Sequence, residues 1–190
     1  TARTAAETAG RPRDVSRLWL AKGKLHAKAS ERNAALDAFD RALEAAAGNN
    51  EAQLRRGLLR LEGGPLAEGR ADLVAVFERT GGYPGLTAPL GRLYVRDSDF
   101  DALERLVGER LHGEATADEL LTIGARLRLH QGRTADARAL LEIALARHPA
   151  DWEAHMLLAQ VLIFEGKTAE ALAEIERSRP PTPDPEQLLQ

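Results

Sequence analysis

Cysteine is missing altogether from the 190 residues, aromatics make up only 4% of them, and there is a single methionine. Without cysteine the chain has no disulfide framework, thiol nucleophile, thiolate zinc site or iron–sulfur cluster. Few aromatics, set against many Ala, Leu, Arg and Glu, favour helix over sheet. An excess of one charge is missing too: 26 Lys+Arg against 29 Asp+Glu leave −3 and a pI near 6.0. That balance gives little support to sequence-independent nucleic-acid binding, so no nucleic-acid partner is expected. No apolar run approaches the roughly 18 residues of a membrane span, the longest being pieces such as Met156 to Phe164. The chain begins at Thr1, which makes a piece of a longer parent the expectation and leaves the compartment, periplasmic or cytoplasmic, open.

Reactive constellations are equally scarce. The five His residues are scattered, with no H-E-x-x-H or paired ligand spacing on one helix face. His148 and His155 flank Pro149 and read as an ordinary loop and helix pair, while His112-x-Glu114 lacks the cysteines that a zinc deaminase signature needs. Asp97, Asp99 and Asp101 imitate the start of a calcium loop, yet Ala102 stands where Gly is required and Gly108 where the bidentate Glu belongs. An interhelical turn capped by Ser98 or Asp99 fits that stretch better. GGYPG lacks the Lys and the preceding strand of a phosphate loop, and G-x-S-x-G is absent. No catalytic residue, metal or cofactor is expected.

What is present is repetition. Gly132/Gly166, Thr134/Thr168, Ala137/Ala171 and Pro149/Pro183 are each 34 apart. Carried backwards, that register gives repeats at 16–49, 50–83, 84–117, 118–151 and 152–185, with 1–15 as a linker or the end of a preceding helix and 186–190 as the start of a further helix or tail. The eighth position reads Gly23, Gly57, Gly91, Ala125, Ala159, small enough for a second helix to pack closely on the first. The twentieth reads Ala35, Gly69, Leu103, Ala137, Ala171, and the twenty-fourth Phe39, Leu73, Val107, Leu141, Ile175, a close-approach site and a core knob respectively. The tenth, Leu25, Leu59, Leu93, Leu127, Val161, is apolar throughout, and the twenty-eighth, Leu43, Phe77, Leu111, Leu145, fails only at Arg179. Thr134 and Thr168 are expected to cap second helices, and Gly64, Gly132 and Gly166 to make the turns between paired helices, with Ser30 and Ser98 in the same place elsewhere.

On these residues the chain resembles the tetratricopeptide repeat family, in the bacterial manner. Trp19, Gly23, Ala35, Phe39 and Ala42 match in the first repeat, Leu121, Ala125, Ala137, Leu141, Ala144 and Pro149 in the fourth, and Ala159, Leu162, Ala171, Ile175 and Pro183 in the fifth. The resemblance implies an all-α fold, a right-handed α-solenoid of stacked antiparallel helix pairs. Gln53 and Arg60 depart from the usual apolar residues, GGP interrupts the second repeat, and Pro89 makes the third start late, near Thr87, with a loosened stretch at 80–90.

The resemblance also implies a concave groove lined by the first helices. Its ninth and thirteenth positions, neighbours at i,i+4, give Lys24 and Lys28, Arg92 and Arg96, Arg126 and His130, while the last repeat offers Met156, Gln160, Ile163 and Phe164. One reading is a partner-binding groove for an extended, partly acidic segment, with the cations on carboxylates and an apolar anchor in the last repeat. The other is that these cations neutralise Glu51, Glu62, Glu119 and Glu153, and that the apolar residues pack on a sixth repeat. The carboxylate clamp of chaperone-tail adaptors is absent, since Leu20, Lys24, Arg55, Gly85 and Pro89 occupy its positions. The family implies a non-catalytic protein-protein interaction scaffold, with a protein or peptide partner and, among bacterial members, envelope assembly or exopolysaccharide secretion, where an anionic polysaccharide is a further partner. The alternative is a regulatory or substrate-docking region of a larger enzyme. Self-association is a third expectation, through Ile163 and Phe164 if they are exposed.

Overall fold

The computed structural model describes residues 12–111 and 117–178. Arg179, Pro183, His112, Glu114 and the segments 1–11 and 186–190 lie outside the described residues. Among those described there are ten α-helices and no strand. They run in five consecutive pairs: α1 (Pro12–Lys28) with α2 (Arg32–Ala45), α3 (Asn50–Leu61) with α4 (Leu66–Thr80), α5 (Thr87–Arg96) with α6 (Phe100–Val107), α7 (Asp118–His130) with α8 (Thr134–Arg147), and α9 (Trp152–Phe164) with α10 (Thr168–Arg177). One 3-10 turn, Gly108–Arg110, follows α6. The chain divides into two compact units, one up to Leu90 and one from Gly91.

In the first unit small residues let helices approach until backbone nears backbone. A Cβ on Gly23 would lie 2.5 Å from the Phe39 ring, and one on Gly57 would meet Leu73, Asp72 Cβ at 2.9 Å and the Gly69 carbonyl oxygen at 3.0 Å. Phe39, Leu73 and Val76 are thereby fully buried, each stabilising the fold by about 1.5–3 kcal/mol relative to exposure. The departures at Gln53 and Arg60 have a physical reason. Asp72, on α4, is buried and accepts hydrogen bonds from Arg56 (Nε 2.9 Å, Nη2 2.5 Å), Arg60 (Nη1 2.8 Å) and Gln53 (Nε2 3.4 Å). Arg56 extends the network to Asp40 on α2 at 2.6 Å. Burial works against the Arg56 charge, but Asp72 and Asp40 together hold its guanidinium above the ordinary arginine value. At the other end Ser16 donates to the Ala42 carbonyl at 2.6 Å and accepts from Asn49 Nδ2 at 2.8 Å, tying α1 to the α2–α3 connection.

The second unit is held mainly by apolar contact. Leu121, Ala125, Ala137, Leu140, Leu141, Ala144, Ala154, Leu157 and Val161 form one buried cluster across α7, α8 and α9. Ala159, Leu162 and Ala171 form another between α9 and α10. Its buried polar pair is His155 with Glu174: Nδ1 lies 2.6 Å from the carboxylate and Nε2 2.9 Å from the Pro149 carbonyl. Arg177 also reaches Glu174. His155 is thus a structural residue, and His148 pairs with Asp118 at 3.1 Å.

Turns between paired helices fall at all five expected residues. Ser30 (φ 61°), Ser98 (φ 56°), Gly132 (φ 71°) and Gly166 (φ 75°) all take the left-handed conformation. Gly64 does not, because it precedes Pro65, whose ring pushes the preceding residue towards extended backbone. The capping expectation is corrected as well. Thr134 and Thr168 are the first helical residues rather than caps; Arg133 and Lys167 stand at the cap positions and make no side-chain cap bond. A capping oxygen must sit one residue earlier to reach the free N–H groups. Asn49, Asp99 and Asp151 do sit there and bond to Ala52, to Ala102, and to Glu153 and Ala154. Helix α5 starts at Thr87, so Pro89 falls in its first turn. The tenth column is a core column from Leu93 onwards, but Leu25 is largely exposed.

Candidate functional site

The nine candidate groove residues lie on α1, α5, α7 and α9, all first helices of pairs. In the first unit Lys24 donates to Glu51 Oε1 at 2.9 Å, and Arg55 donates to the same oxygen at 3.0 Å. The Lys24 hydrogen bond holds the Glu51 carboxyl below its ordinary value. Lys28 forms no ion pair with a described residue. Lys24 and Lys28 line a shallow pocket of about 590 Å³ with Arg17, Leu20, Ala21, Leu25 and Arg55.

In the second unit Arg126 donates to Glu153 Oε1 at 3.1 Å. Both ion pairs span 27 residues, from the ninth position of one helix pair to the second position of the next. The groove cations are therefore partly neutralised from within, as one of the two readings expects for Glu51 and Glu153. His130 stacks on Phe100, with ring centroids 3.9 Å apart and planes 8° apart. Arg126, His130, Gln160 and Phe164 line one pocket of about 360 Å³, together with Val95, Ser98, Phe100, Leu129 and Leu157. Four of the nine residues thus converge. Arg92, Arg96 and Met156 line neither of these two pockets. Arg96 donates to Asp97 at 2.9 Å, and that hydrogen bond raises its pKa. Met156, Ile163 and Phe164 are exposed.

Residue types alone do not bring Phe100 to this pocket, since its partner His130 lies thirty residues on. Leu129 and Leu157 were missed because helical spacing assigns them to the core face, and each borders core and pocket together. Such a lining can take a large apolar side chain against Phe164 and Leu157, with Gln160 and Arg126 as polar partners at its rim. Among the described residues there is no group of three or more His, Cys, Asp or Glu that could hold a metal, and no helix is long and apolar enough to cross a membrane.

Two family models described as tetratricopeptide repeat match the chain, at residues 20–84 and 128–190. The chain belongs to the tetratricopeptide repeat family. Among solved structures of this fold, MamA AMB-1 is 20% identical with a TM-score of 0.68, covering 92% of this chain and 96% of that one. YrrB, a tetratricopeptide repeat protein with an unusual peptide-binding site, is 15% identical with a TM-score of 0.67, covering 90% of this chain and 88% of that one. A tetratricopeptide repeat protein from Parabacteroides merdae ATCC 43184 is 19% identical with a TM-score of 0.65, covering 88% and 66%. No curated protein matches the sequence. At these identities the structural likeness carries the fold of stacked helix pairs. Tetratricopeptide repeat proteins are in general protein-binding scaffolds and typically non-catalytic.

Proposed function

We propose that the chain is a non-catalytic scaffold that seats an extended protein segment along the first helices of its pairs, at Lys24, Lys28, Arg92, Arg96, Arg126, His130, Met156, Gln160 and Phe164. In this reading 16–185 is five 34-residue repeats. The observation that carries the proposal is the pocket where Arg126, His130, Gln160 and Phe164 meet over Leu157. It combines an exposed aromatic, a stacked imidazole and two polar groups, the makings of an anchored peptide contact. The partner segment carries a large apolar residue with an acidic residue beside it, because Arg126 can exchange Glu153 for a carboxylate from outside. A protein of bacterial envelope assembly is the setting we favour, in which an anionic polysaccharide would compete for Lys28 and Arg92.

Fluorescence anisotropy against a library of labelled peptides, each with one aromatic or leucine flanked by acids, tests this. Tight binders should lose about tenfold in affinity with Phe164→Ala, as expected for an interface anchor. Arg126→Gln should weaken binding less, and added salt should weaken it in the wild type more than in Arg126→Gln. If Phe164→Ala and Arg126→Gln bind as the wild type does, the groove is not the recognition surface. Binding of an anionic polysaccharide alone, lost entirely in moderate salt, would favour the polymer over the peptide.

A further inference from the structure

A face made like the inside of the stack lies open on α1. At the third position of successive pairs stand Leu18, Ala52, Leu86, Leu120 and Ala154, and at the tenth Leu25, Leu59, Leu93, Leu127 and Val161. Ala52, Leu86, Leu120 and Ala154 are at most 4% exposed, and Leu93, Leu127 and Val161 at most 7%. Leu18 is 72% and Leu25 69% exposed. These two leucines stand seven residues apart on one stripe of α1, in positions that are buried, or at Leu59 half-buried, in every pair that another pair precedes. Charge on α1 is one-sided, Arg13, Arg17, Lys22, Lys24 and Lys28 against Asp14 alone.

Contacts between neighbouring pairs keep a fixed register. Asp40 on α2 accepts from Arg56 on α3, the twenty-fifth position to the seventh. Arg138 donates to Glu165 at 2.9 Å and Gln131 to Glu104 at 2.8 Å, both joining a twenty-first position to a fourteenth. In that register α10 offers Glu176 at the twenty-fifth position and Leu172 at the twenty-first, the latter 58% exposed. The matching positions are Lys22 on α1, the seventh, and Ala29 just past its end, the fourteenth, four residues after Leu25. The exposed carboxylates of α10 are Glu170 and Glu176, whereas Glu174 is buried with His155 and engages Arg177, so α10 is acidic where α1 is basic.

We infer that the open face of α1 docks α10 of a second copy of this chain, end to end. Glu176 of one copy then meets Lys22 of the next with the sign order of Asp40 and Arg56, and Leu172 covers the Leu25 end of the stripe. Pairing α1 with another α1 would bring like charges together, so the contact is heterologous and builds a chain or ring rather than an isologous dimer. Leu25 also borders the pocket that Lys24 and Lys28 line, but the pocket of Arg126 and Phe164 that carries the proposed function contains no residue of α1 or α10, so either reading can fail while the other stands.

Sedimentation velocity of the whole chain over a wide concentration range at low salt is the test, with circular dichroism as the check on folding. The mean mass of the wild type should rise with concentration, and Leu18→Glu/Leu25→Glu should stay monomeric with an unchanged helical signal. Lys22→Glu and Glu176→Lys should each weaken assembly about threefold, the size of an exposed ion pair, and the two together should restore it. A wild type monomeric at every concentration overturns the inference and hands the face to another occupant, such as an acidic helix of a different protein. Assembly indifferent to Leu18→Glu/Leu25→Glu, or a double charge swap that stays weak, overturns it equally.

Discussion

The second and fourth helix pairs solve one packing problem with opposite chemistry. Where α8 presents Leu140 and Leu141 to an apolar cluster, α4 presents Asp72 and Leu73, and the carboxylate is surrounded by Arg56, Arg60 and Gln53. Where α7 places Ala125, α3 places Gly57, and its pair is drawn in until a Cβ on either Gly57 or Gly69 would meet the other's carbonyl oxygen at 3.0 or 2.9 Å. The comparison teaches that the repeat demands a shape at the crossing and leaves the polarity of the neighbouring column open, provided every buried charge has partners.

The largest effect is expected from breaking the polar solution. Asp72→Ala leaves the half-buried Arg56 with Asp40 alone and Arg60 with Glu68 alone, and should cost about 3 kcal/mol in urea unfolding. Replacing Arg56, Arg60 and Asp72 together with leucines should cost far less, which would show that the network is exchangeable for the apolar kind. Next in size is crowding the crossing: Gly57→Leu should cost on the order of 1–3 kcal/mol or more by overpacking. Gly91→Ala should be milder, since a Cβ there meets Ile123 Cγ2 at 3.2 Å and no backbone within that range. Equal melting temperatures for Gly57→Ala and Gly91→Ala would erase the contrast.

Caps come third. Asn49→Ala, in the first unit, and Asp151→Ala, in the second, should each cost about 1 kcal/mol, while Thr134→Ala and Thr168→Ala should change the denaturation midpoint little because those hydroxyls cap nothing. The smallest effect is on pH. Glu51 in the first unit is held below its ordinary value of 4.5, first by Lys24, and Asp118 in the second is held below 3.8, first by Arg147. A carboxylate depressed in the folded state contributes stability above its unfolded pKa and loses it as pH falls through the folded one. Their contribution should therefore stay constant from neutral pH down to the carboxylate range and fade below it. Lys24→Met should flatten the first unit's share, read as urea midpoints against pH.

Much of the fold was open to reading from residue types because a 34-residue period, small residues at crossings and turn residues at fixed offsets act locally. The left-handed turns at Ser30, Ser98, Gly132 and Gly166 and the late start of α5 are such local consequences. Cap position was not, since a shift of one residue at Thr134 moves the hydroxyl out of reach and leaves the pattern unchanged. The candidate site was half visible. The family resemblance points to the ninth and thirteenth positions, hence Arg126 and His130, but Phe100 joins them from another pair, and whether Arg126 meets Glu153 or a ligand depends on how two helices are spaced.

By itself the sequence determined the all-helical repeat and the absence of thiol chemistry, because periodicity and composition need no knowledge of what lies opposite. Which polar residues are buried was decided only in three dimensions: Asp72 and Glu174 occupy a column that elsewhere holds Ala38, Leu106 and Leu140, and nothing local separates a buried carboxylate from a solvated one. The same holds for the two open leucines of α1. Their spacing marks a core stripe, and only the tertiary structure reveals that no helix covers it among the described residues, since burial is a property of the neighbour as much as of the residue.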